Sequence, residues 1–529
     1  MRLHARAQEK AYDRRWGILA VLCLSLFVIV LDNSILNVAL PTIVRELDAT
    51  NSELQWMVDA YVLVFAGLLL TAGSLGDRFG RRGALQLGFA IFGLGSVLSA
   101  VADTPAQLIA TRAFMGIGSA FIMPATLSII TNVFPAHERG RAIGFWAGAA
   151  GLGVLGPLVG GALLEHFYWG SVFLVNVPVI AFSLAAGVFL IPTSKDPSTP
   201  PLDVIGAVLS IAGLTALLYA IIEGPDKGWT DGRILTAFGV GGVLLAAFVL
   251  WEARVEHPMV SLDFFRNRRF TAASGAITTI YFAMFGSLFV LTQYFQFVLG
   301  YSPLETGVRL VPWAAVMLVV SPNAPRLVER IGTKVVVATG MALFSLGLLL
   351  LIPLDATSGY PDIVWRLMLM GLGMSLTMAP ATESIMGSLP LGKAGVGSAI
   401  NDTTRQMGGA LGVAVVGSVA SSIYGSRIAD AVAGRALPDS VATGVKDSLG
   451  FALGAADRLG GDSGAALAAS ARAAFVDGMH AGVLVAAGVA LLGAVVALLW
   501  LPARAEPGDD IRRGAYLCLL VGALERVDP

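Results

Sequence analysis

Long apolar runs, broken by short polar segments that often carry Arg, recur along the whole chain. About 20 apolar residues cross the hydrocarbon core of a bilayer as one helix. On that measure spans are predicted near 16–40, 54–75, 84–101, 106–131, 142–165, 171–191, 202–222, 233–252, 270–298, 304–323, 335–354, 362–386, 395–424 and 475–502. Fourteen crossings in 529 residues leave little chain for anything but short connections.

Loop charge orients this pattern, because short cytoplasmic loops collect Lys and Arg. With the N-terminus inside, the inner loops hold Arg78, Arg81 and Arg82; Arg139 and Arg141; Lys195; Arg254, Arg266, Arg268 and Arg269; Arg326, Arg330 and Lys334; and Lys393. The short outer loops hold Arg45, Lys227, Arg233 and Arg366. An even number of spans returns the tail, with Arg504, Arg512 and Arg513, to the cytoplasm, so both termini are expected inside. The outer segment 425–474 is long and rich in Ala, Gly and Asp; long loops escape the charge rule, so Arg427, Arg435, Lys446, Arg458 and Arg472 do not count against it. The basic N-terminus (Arg2, Arg6, Lys10, Arg14, Arg15) runs into the first span without a small-residue cleavage site, which reads as a retained span and not a signal peptide.

Composition agrees: 56% of residues are hydrophobic and 13% charged, with a mean hydropathy of +0.76, where soluble domains carry roughly 25% charged residues. A net charge of -1 gives no basic excess for nucleic acid. The two cysteines, Cys23 and Cys518, lie too far apart in sequence and setting to suggest a disulfide framework or a metal site. No Gly-x-x-x-x-Gly-Lys-Ser/Thr loop appears, which disfavours an ATP-driven pump. Neither paired His, a Cys cluster, nor a nucleophile with its base is visible, so the chain is not read as an enzyme and no cofactor is expected.

A repeat is visible within the chain. The loop after the second span reads Gly73-Ser74-Leu75-Gly76-Asp77-Arg78-Phe79-Gly80-Arg81-Arg82, and the loop after the tenth reads Glu329-Arg330-Ile331-Gly332-Thr333-Lys334. Acid, Arg, any residue, Gly, any residue, base recurs at matched places in two halves, as in transporters built from repeats that rock about a central site. Gly80 permits a tight turn, and Asp77 can accept from a neighbouring helix N-terminus or from an Arg across the halves. Gly73, Asp77, Arg78, Gly80 and Arg81 are therefore candidates for a gate latch; a solvated basic loop that only fixes topology is the competing reading.

Ionisable side chains inside a bilayer cost roughly 2.5 to 3.5 kcal/mol on insertion scales, so each is a candidate for function. Asp32 lies about 16 residues into the first span, roughly 24 Å along a helix, in its outer half. Asp59 near the start of span 2 and Arg112 near the start of span 4 share that depth. Asp32 is the candidate proton carrier, Arg112 its tuner, and Asp59 an assistant or an attractor of cations; the alternatives are a structural ion pair holding helices in register for Asp32 and Arg112, and an interfacial acid wetted by the outer aqueous layer for Asp59. Arg309, Glu383, Asp402 and Arg405 fall in or near spans of the second half. Asp402 and Arg405, three apart on one helix face, are read as neutralising each other. Glu383 is expected to reach water, and Glu223 to belong to an outer loop.

Small residues in span 5 (Gly148, Gly153, Gly156, Gly160, Gly161) allow close helix approach, and Pro157 removes a donor and bends the helix, either for gating or for packing alone. A substrate pocket should be mostly apolar with a few polar groups. Candidate lining residues are Phe145, Trp146, Tyr281, Phe282, Phe285, Gln293, Tyr294, Gln296 and Trp313, with Asn401 and Arg405. The tail 511–527 mixes Arg with Leu and Val and lies either on the inner leaflet or untethered.

Four motifs in order then resemble one family. Leu31-Asp32-Asn33-Ser34-Ile35-Leu36-Asn37-Val38-Ala39-Leu40-Pro41 resembles the first-helix signature of the fourteen-helix drug:proton antiporters of the major facilitator superfamily. Gly73 to Arg82 matches the superfamily's loop motif, Arg112-Ala113-Phe114-Met115-Gly116-Ile117-Gly118 is similar to the fourth-helix arginine motif, and Gly148 with Gly156-Pro157-Leu158-Val159-Gly160-Gly161 to the fifth-helix motif of exporters. Phe173 to Pro178, Gln296 to Pro303 and Asn401 to Gly409 also resemble this branch, so that the likeness spans most of 15–425. Gly170 and Ser171 stand where the family has a further aromatic after Trp169, and Asn33 or Ser34 where Thr is common, differences that bear on substrate more than fold.

The resemblance implies an all-α polytopic fold of two six-helix bundles plus two extra helices: a cytoplasmic tail 1–15, a bundle 16–191, linker helices 202–252, a bundle 270–502 and a cytoplasmic tail 503–529. It implies export of amphiphilic small molecules, such as drugs, antibiotics or cationic dyes, in exchange for protons across the cell membrane, by a single chain in the lipid bilayer. A dedicated exporter of one metabolite, or a sensor or scaffold that has kept the fold without flux, are the alternatives.

Overall fold

A computed structural model describes residues 12–47, 51–195, 203–433 and 439–503, and every regular element among them is helical. That outcome follows from the solvent: hydrocarbon offers no hydrogen-bond partner, so a spanning backbone must satisfy itself within helices or a closed barrel. In chain order the helices are α1 (Arg15–Leu47), α2 (Asn51–Phe79), α3 (Arg81–Ala100), α4 (Pro105–Val133), α5 (Ala136–Ala150), α6 (Leu155–His166), the short α7 (Ser171–Leu174), α8 (Asn176–Leu190), α9 (Val204–Lys227) and α10 (Gly232–Glu252). There follow α11 (Arg268–Gln293), α12 (Pro303–Val320), α13 (Ala324–Ile331), α14 (Thr333–Leu349), α15 (Tyr360–Gly387), α16 (Ala394–Ala433), α17 (Asp439–Asp447), α18 (Leu449–Leu459) and α19 (Gly461–Trp500). Among the described residues twelve stretches are long and apolar enough to cross a membrane; the bent pair α5 and α6 makes a thirteenth, and the 17-residue α14 stands where one more is expected. The chain is a multi-pass membrane protein.

Helices α1 to α8 pack into one bundle and α11 to α16 with α19 into another, and α16 lies against α2 and α4 while α12 lies against α5 and α6. The extra helix α9 covers one seam: it packs on α2 and on α16, with α10 outside it. Trp56 on α2 stacks with Tyr219 of α9 at 6.2 Å, and Trp229 donates to Ser418 Oγ of α16 at 3.3 Å. On its outer side α10 is mostly exposed, as expected of a lipid-facing helix.

The repeat read from the two loops extends to their backbone. Gly80 has φ +120° and Gly332 φ +87°, a region that side chains disfavour. In each half the next N–H then donates to a residue just beyond the last helix of its bundle: Arg81 to Ser194 O and Thr333 to Ala503 O, both at 2.9 Å. A second correspondence lies in the closest helix pairs. A Cβ on Gly118 of α4 would stand 2.7 Å from Phe92 N and 2.8 Å from Gly88 O of α3, while one on Gly373 of α15 would stand 2.5 Å from Gly340 O and Phe344 N of α14. We call the end holding Gly80 and Gly332 the latch end.

Two expectations are corrected. The segment 425–474, read as a loop, is largely helical: α16 runs to Ala433, α17 and α18 follow, and α19 begins at Gly461. Its Ala content lowers hydropathy without lowering helix propensity, since Ala is the best helix former. Glu223, read as an outer-loop residue, lies within α9 at 4% exposure and pairs with Lys227 at 2.5 Å, one turn on. The tail 511–527, Cys518, Arg504, Arg512, Arg513, Arg435 and the basic residues Arg2, Arg6 and Lys10 lie outside the described residues.

Substituting Gly118→Val should force α3 and α4 apart and lower stability by about 1–3 kcal/mol, the usual cost of overpacking. Thermal unfolding of the detergent-solubilised protein against wild type measures it; an unchanged midpoint would show that the helix pair tolerates separation.

Candidate functional site

Three polar assemblies interrupt the apolar interior. The first joins α1, α4 and α8. Thr104 caps α4 by accepting from Gln107 N, Pro105 follows at its first turn, and this start places Arg112 two turns into the bundle. Arg112 is 0% and Asp32 2% exposed, and Arg112 Nη1 donates to Asp32 Oδ2. Asn176 Nδ2 at the start of α8 donates to the other oxygen, Asp32 Oδ1, at 2.8 Å, and to Ser96 Oγ at 3.0 Å. Arg112 Nε donates to Met57 O at 3.3 Å, and the guanidinium lies 4.4 Å from the Tyr61 ring centroid. Tyr61 in turn shares a 2.7 Å hydrogen bond with Ser119. Arg112 Nη2 and Asn176 Oδ1 are buried with no hydrogen-bond partner.

A proton added to Asp32 therefore removes the charge that partners Arg112, in a setting where an unmatched buried charge costs several kcal/mol. Asp59 is 9% exposed and stands on α2 two residues from Met57, whose carbonyl Arg112 holds. Asn176, Ser96 and Tyr61 were not among the predicted site residues; the available signal was an Asn within an apolar span, beside Pro178.

The second assembly bridges the halves. Trp146 lies ten residues into α5 and Arg405 eleven into α16, which from the latch end is about 15–17 Å, mid-depth in a core of ~30 Å. Arg405 Cζ sits 4.8 Å from the Trp146 ring and 5.3 Å from the Tyr281 ring, and Arg405 Nη2 donates to Thr382 Oγ1 at 2.8 Å. Its partner acid Asp402 is 3.6 Å away and 1% exposed, with Asn401 Nδ2 at 3.4 Å. Trp146 Nε1 donates to Thr126 Oγ1 at 3.1 Å. Asp402 Oδ2 and Arg405 Nε are buried without a partner, so the pair is incompletely satisfied. Of the predicted lining residues, Trp146, Tyr281, Asn401 and Arg405 come together here, and Phe285 packs on Tyr281 at 5.9 Å. Gln293, Tyr294 and Gln296 are not brought in: they lie at a π-helical end of α11, where Tyr294 donates to Asp355 O at 2.6 Å. Trp313 packs inside the second bundle, against Gly371.

The third assembly is at the latch end. Asp77 Oδ1 accepts from Gly395 N at 2.9 Å and from Arg81 Nε at 2.8 Å, and Oδ2 accepts from Val396 N at 3.0 Å. An anion thus caps the N-terminus of a helix from the opposite half, where free N–H groups and the helix dipole favour negative charge. Arg81 Nη2 reaches across to Leu391 O at 2.6 Å. Gly73 makes this approach feasible, since a Cβ there would stand 2.6 Å from Gly395 O. Arg78 lies over the Phe79 ring, 5.3 Å from its centroid. At the same end Glu383 is partly exposed, as expected, and also pairs with Arg269 at 3.1 Å, and a Cβ on Gly144 would stand 2.7 Å from Pro322 Cα. In the second half Glu329 is exposed.

Span 5 is broken in the middle. Gly151–Val154 forms a 3-10 turn, and the axis bends by 41° between α5 and α6, with Pro157 in the first turn of α6. On one side a Cβ at Gly148 would stand 3.2 Å from Leu318 Cα; on the other, a Cβ at Gly156 would stand 2.6 Å from Ser34 Cβ and one at Gly160 3.4 Å from the Ile35 side chain. A Cβ at Gly161 would stand 3.8 Å from Leu304 Cδ1. Ser34 Oγ donates to Gly153 O at 2.7 Å, tying the break to the helix that carries Asp32.

Comparison with known proteins adds identity to this geometry. A sequence profile of the Major Facilitator Superfamily matches residues 22–413. The chain is 35% identical to the multidrug efflux pump LfrA of Mycolicibacterium smegmatis, over 91% of this chain and 95% of that protein. It is 32% identical to the tetracenomycin C resistance and export protein of Streptomyces glaucescens (94% and 93%), and 33% identical to the methyl viologen resistance protein SmvA of Salmonella typhimurium (93% and 99%). Among solved structures, a bacterial homologue of the human lysosomal transporter Spinster superposes with a TM-score of 0.57 at 19% identity, covering 93% of this chain and 99% of that one. The human organic anion transporter MFSD10 superposes with a TM-score of 0.58 at 14% identity, covering 91% and 98%.

Replacing Asp77→Ala strips the acceptor from two N–H groups and from Arg81. Losing hydrogen bonds to a charged group costs about 1.5–3 kcal/mol, enough to shift the closed-to-open ratio of the latch end about tenfold or more. A cysteine introduced by Ala399→Cys, buried against Gly73, should then react with a membrane-impermeant thiol reagent faster by that factor. Equal labelling with and without Asp77 would remove the latch from the account.

Proposed function

The chain belongs to the Major Facilitator Superfamily, and from that premise we propose that it exports amphiphilic small molecules, such as drugs, antibiotics or cationic dyes, in exchange for protons across the cell membrane. The observation that carries the reading is Asp32: a carboxylate inside a span, closed from solvent, held by a guanidinium and an amide from two other helices. Such a site binds one proton at the expense of its partner's charge balance, and so couples protonation to helix position. The latch end, with its Arg-rich loops, faces the cytoplasm and both termini lie there.

A proton from outside reaches Asp32 when the opposite end opens, Arg112 is released from its partner, and the halves rock. With the latch open, substrate enters from the cytoplasm as the proton leaves Asp32 and the ion pair re-forms. Asp59, near the opposite end, assists the proton's entry or attracts cations. The mid-depth assembly is the substrate subsite: the faces of Trp146 and Tyr281 already hold a cation, the Arg405 guanidinium, at cation–π distance. A cationic amphiphile takes that place when Arg405 turns toward the open oxygen of Asp402. The glycines and bend of span 5, with Gly73, Asp77, Arg78, Gly80 and Arg81, serve the gates, and a single chain suffices. The second reading, export of one dedicated compound, is favoured by the tetracenomycin C exporter among the relatives.

Dye efflux from everted vesicles under an imposed proton gradient tests the coupling. Asp32→Asn, which leaves no carboxylate to take up and release the proton, should lower gradient-driven efflux about tenfold or more while dye binding persists. Full-rate driven efflux in that variant would remove Asp32 from the mechanism. In parallel, Trp146→Ala should weaken binding of cationic dyes by about 0.5–2 kcal/mol, the worth of a cation–π contact, and spare neutral substrates. Equal losses for both classes would remove the cation–π contact from substrate recognition.

A further inference from the structure

Outside these assemblies one acidic pair has no role. Asp203 caps α9 and Glu252 closes α10, so both stand at the latch end of the two extra helices. Asp203 Oδ1 accepts from Gly206 N at 2.8 Å and from Trp251 Nε1 at 2.9 Å. Glu252 Oε2 accepts from Val260 N at 3.1 Å, in the connection that enters the second bundle. The remaining oxygens, Asp203 Oδ2 and Glu252 Oε1, are both closed to solvent and receive no donor. They converge above Gly206, where an added Cβ would touch the two together. Glu252 itself is 4% exposed.

No cation answers them among the described residues. Arg254, Glu256 and His257 in the connection, Lys195 after α8 and Arg268 at the start of α11 are exposed, Arg266 pairs with Asp263 at 3.2 Å, and Arg269 is taken by Glu383. Elsewhere on α9 and α10 the charged positions, Glu223, Asp226, Lys227 and Arg233, lie at the opposite end. Two bare carboxylate oxygens turned to each other in a half-dry site repel, whereas one proton between them makes a hydrogen bond. We propose that Asp203 and Glu252 share one proton, forming a proton-binding site separate from Asp32 that fastens both extra helices to the connection into the second bundle.

The proton closes a ring of contacts: α9 through its cap, α10 through Trp251, and the connection through Val260, whose neighbour Met259 is likewise buried. Loss of the proton leaves two like charges at the centre of that ring and loosens it. Placed at the latch end, the joint samples cytoplasmic pH; that orientation rests on the proposed function, but the shared proton does not.

The sign of the pH effect is fixed by linkage. Carboxyls of the unfolded chain are ionised at neutral pH, so a folded state that keeps one proton binds more, and its stability falls as pH rises until the pair ionises too. The test uses the full chain purified in nanodiscs, compared with Glu252→Gln and Asp203→Asn, each of which supplies its own N–H donor to the facing oxygen. Wild type should show a carboxylic acid C=O infrared band at neutral pH that either variant lacks, and should release one more proton than either between about pH 6 and about pH 9. Its unfolding midpoint should fall across that range while the variants' stay flatter. Identical spectra and proton release in wild type and in whichever variant folds would overturn the proposal. So would a wild-type midpoint at alkaline pH that sodium or calcium chloride restores and choline chloride does not, since the occupant is then a metal cation.

Discussion

A charge inside hydrocarbon must bring its counter-charge with it, and the interior of this chain is organised by that requirement. Removing an ion from water costs several kcal/mol even after relaxation, and only close, hydrogen-bonded partners offset it. Asp32 draws its partners from two other helices, Arg112 on α4 and Asn176 on α8, so one carboxylate fixes the relative position of three spans. Apolar packing alone does not do this in lipid, where side chains lose nothing by facing acyl tails; close approach at small residues and polar contacts carry the specificity.

Between the halves the same requirement is met differently at each depth. At the latch end Asp77 is matched by backbone N–H groups of a helix end, a partner that either half can present or withdraw as a rigid body. At mid-depth Arg405 is matched by ring faces and a hydroxyl, with Asp402 at 3.6 Å. Contacts of the first kind break cleanly when an interface opens. Those of the second kind are soft and leave unsatisfied atoms: Asp402 Oδ2, which another cation or donor can use, and Arg405 Nε, which an acceptor can use. A carrier needs both: a latch with two states and a centre that is never completely self-satisfied.

How much of this was legible in the sequence follows from how costly each feature is. The spans were readable because a run of some 20 apolar residues is the length that a bilayer core demands and that a water-soluble helix rarely tolerates. Asp32, Arg112 and Arg405 stood out because charges in spans are rare, and Asp77 because its loop pattern recurs in the second half. Asn176, Ser96 and Tyr61 were missed because uncharged polar groups cost less and follow no periodicity, so only the fold shows which of them meets Asp32. Gln293, Tyr294 and Gln296 have the composition of a pocket but sit where α11 turns into a π-helical end, a boundary that composition does not mark. The segment 425–474 misled through its Ala and Gly content, and Glu223 through Pro225, which stands in the last turn of a helix that had been expected to end before it.

The two halves share a turn but not a latch. Both loops place a positive-φ glycine, and both tie the following N–H to the end of their own bundle. In the first half Asp77 and Arg81 then reach across, while Glu329, the counterpart of Asp77, is exposed. The turn is thus a requirement of each bundle taken alone, the point where its second and third spans meet its last. The grip on the other half is an addition to one copy. Placing the acid on one side leaves the charged contact between the halves at that end to one copy of the repeat, where Asp77 meets a helix N-terminus and Arg81 two backbone carbonyls.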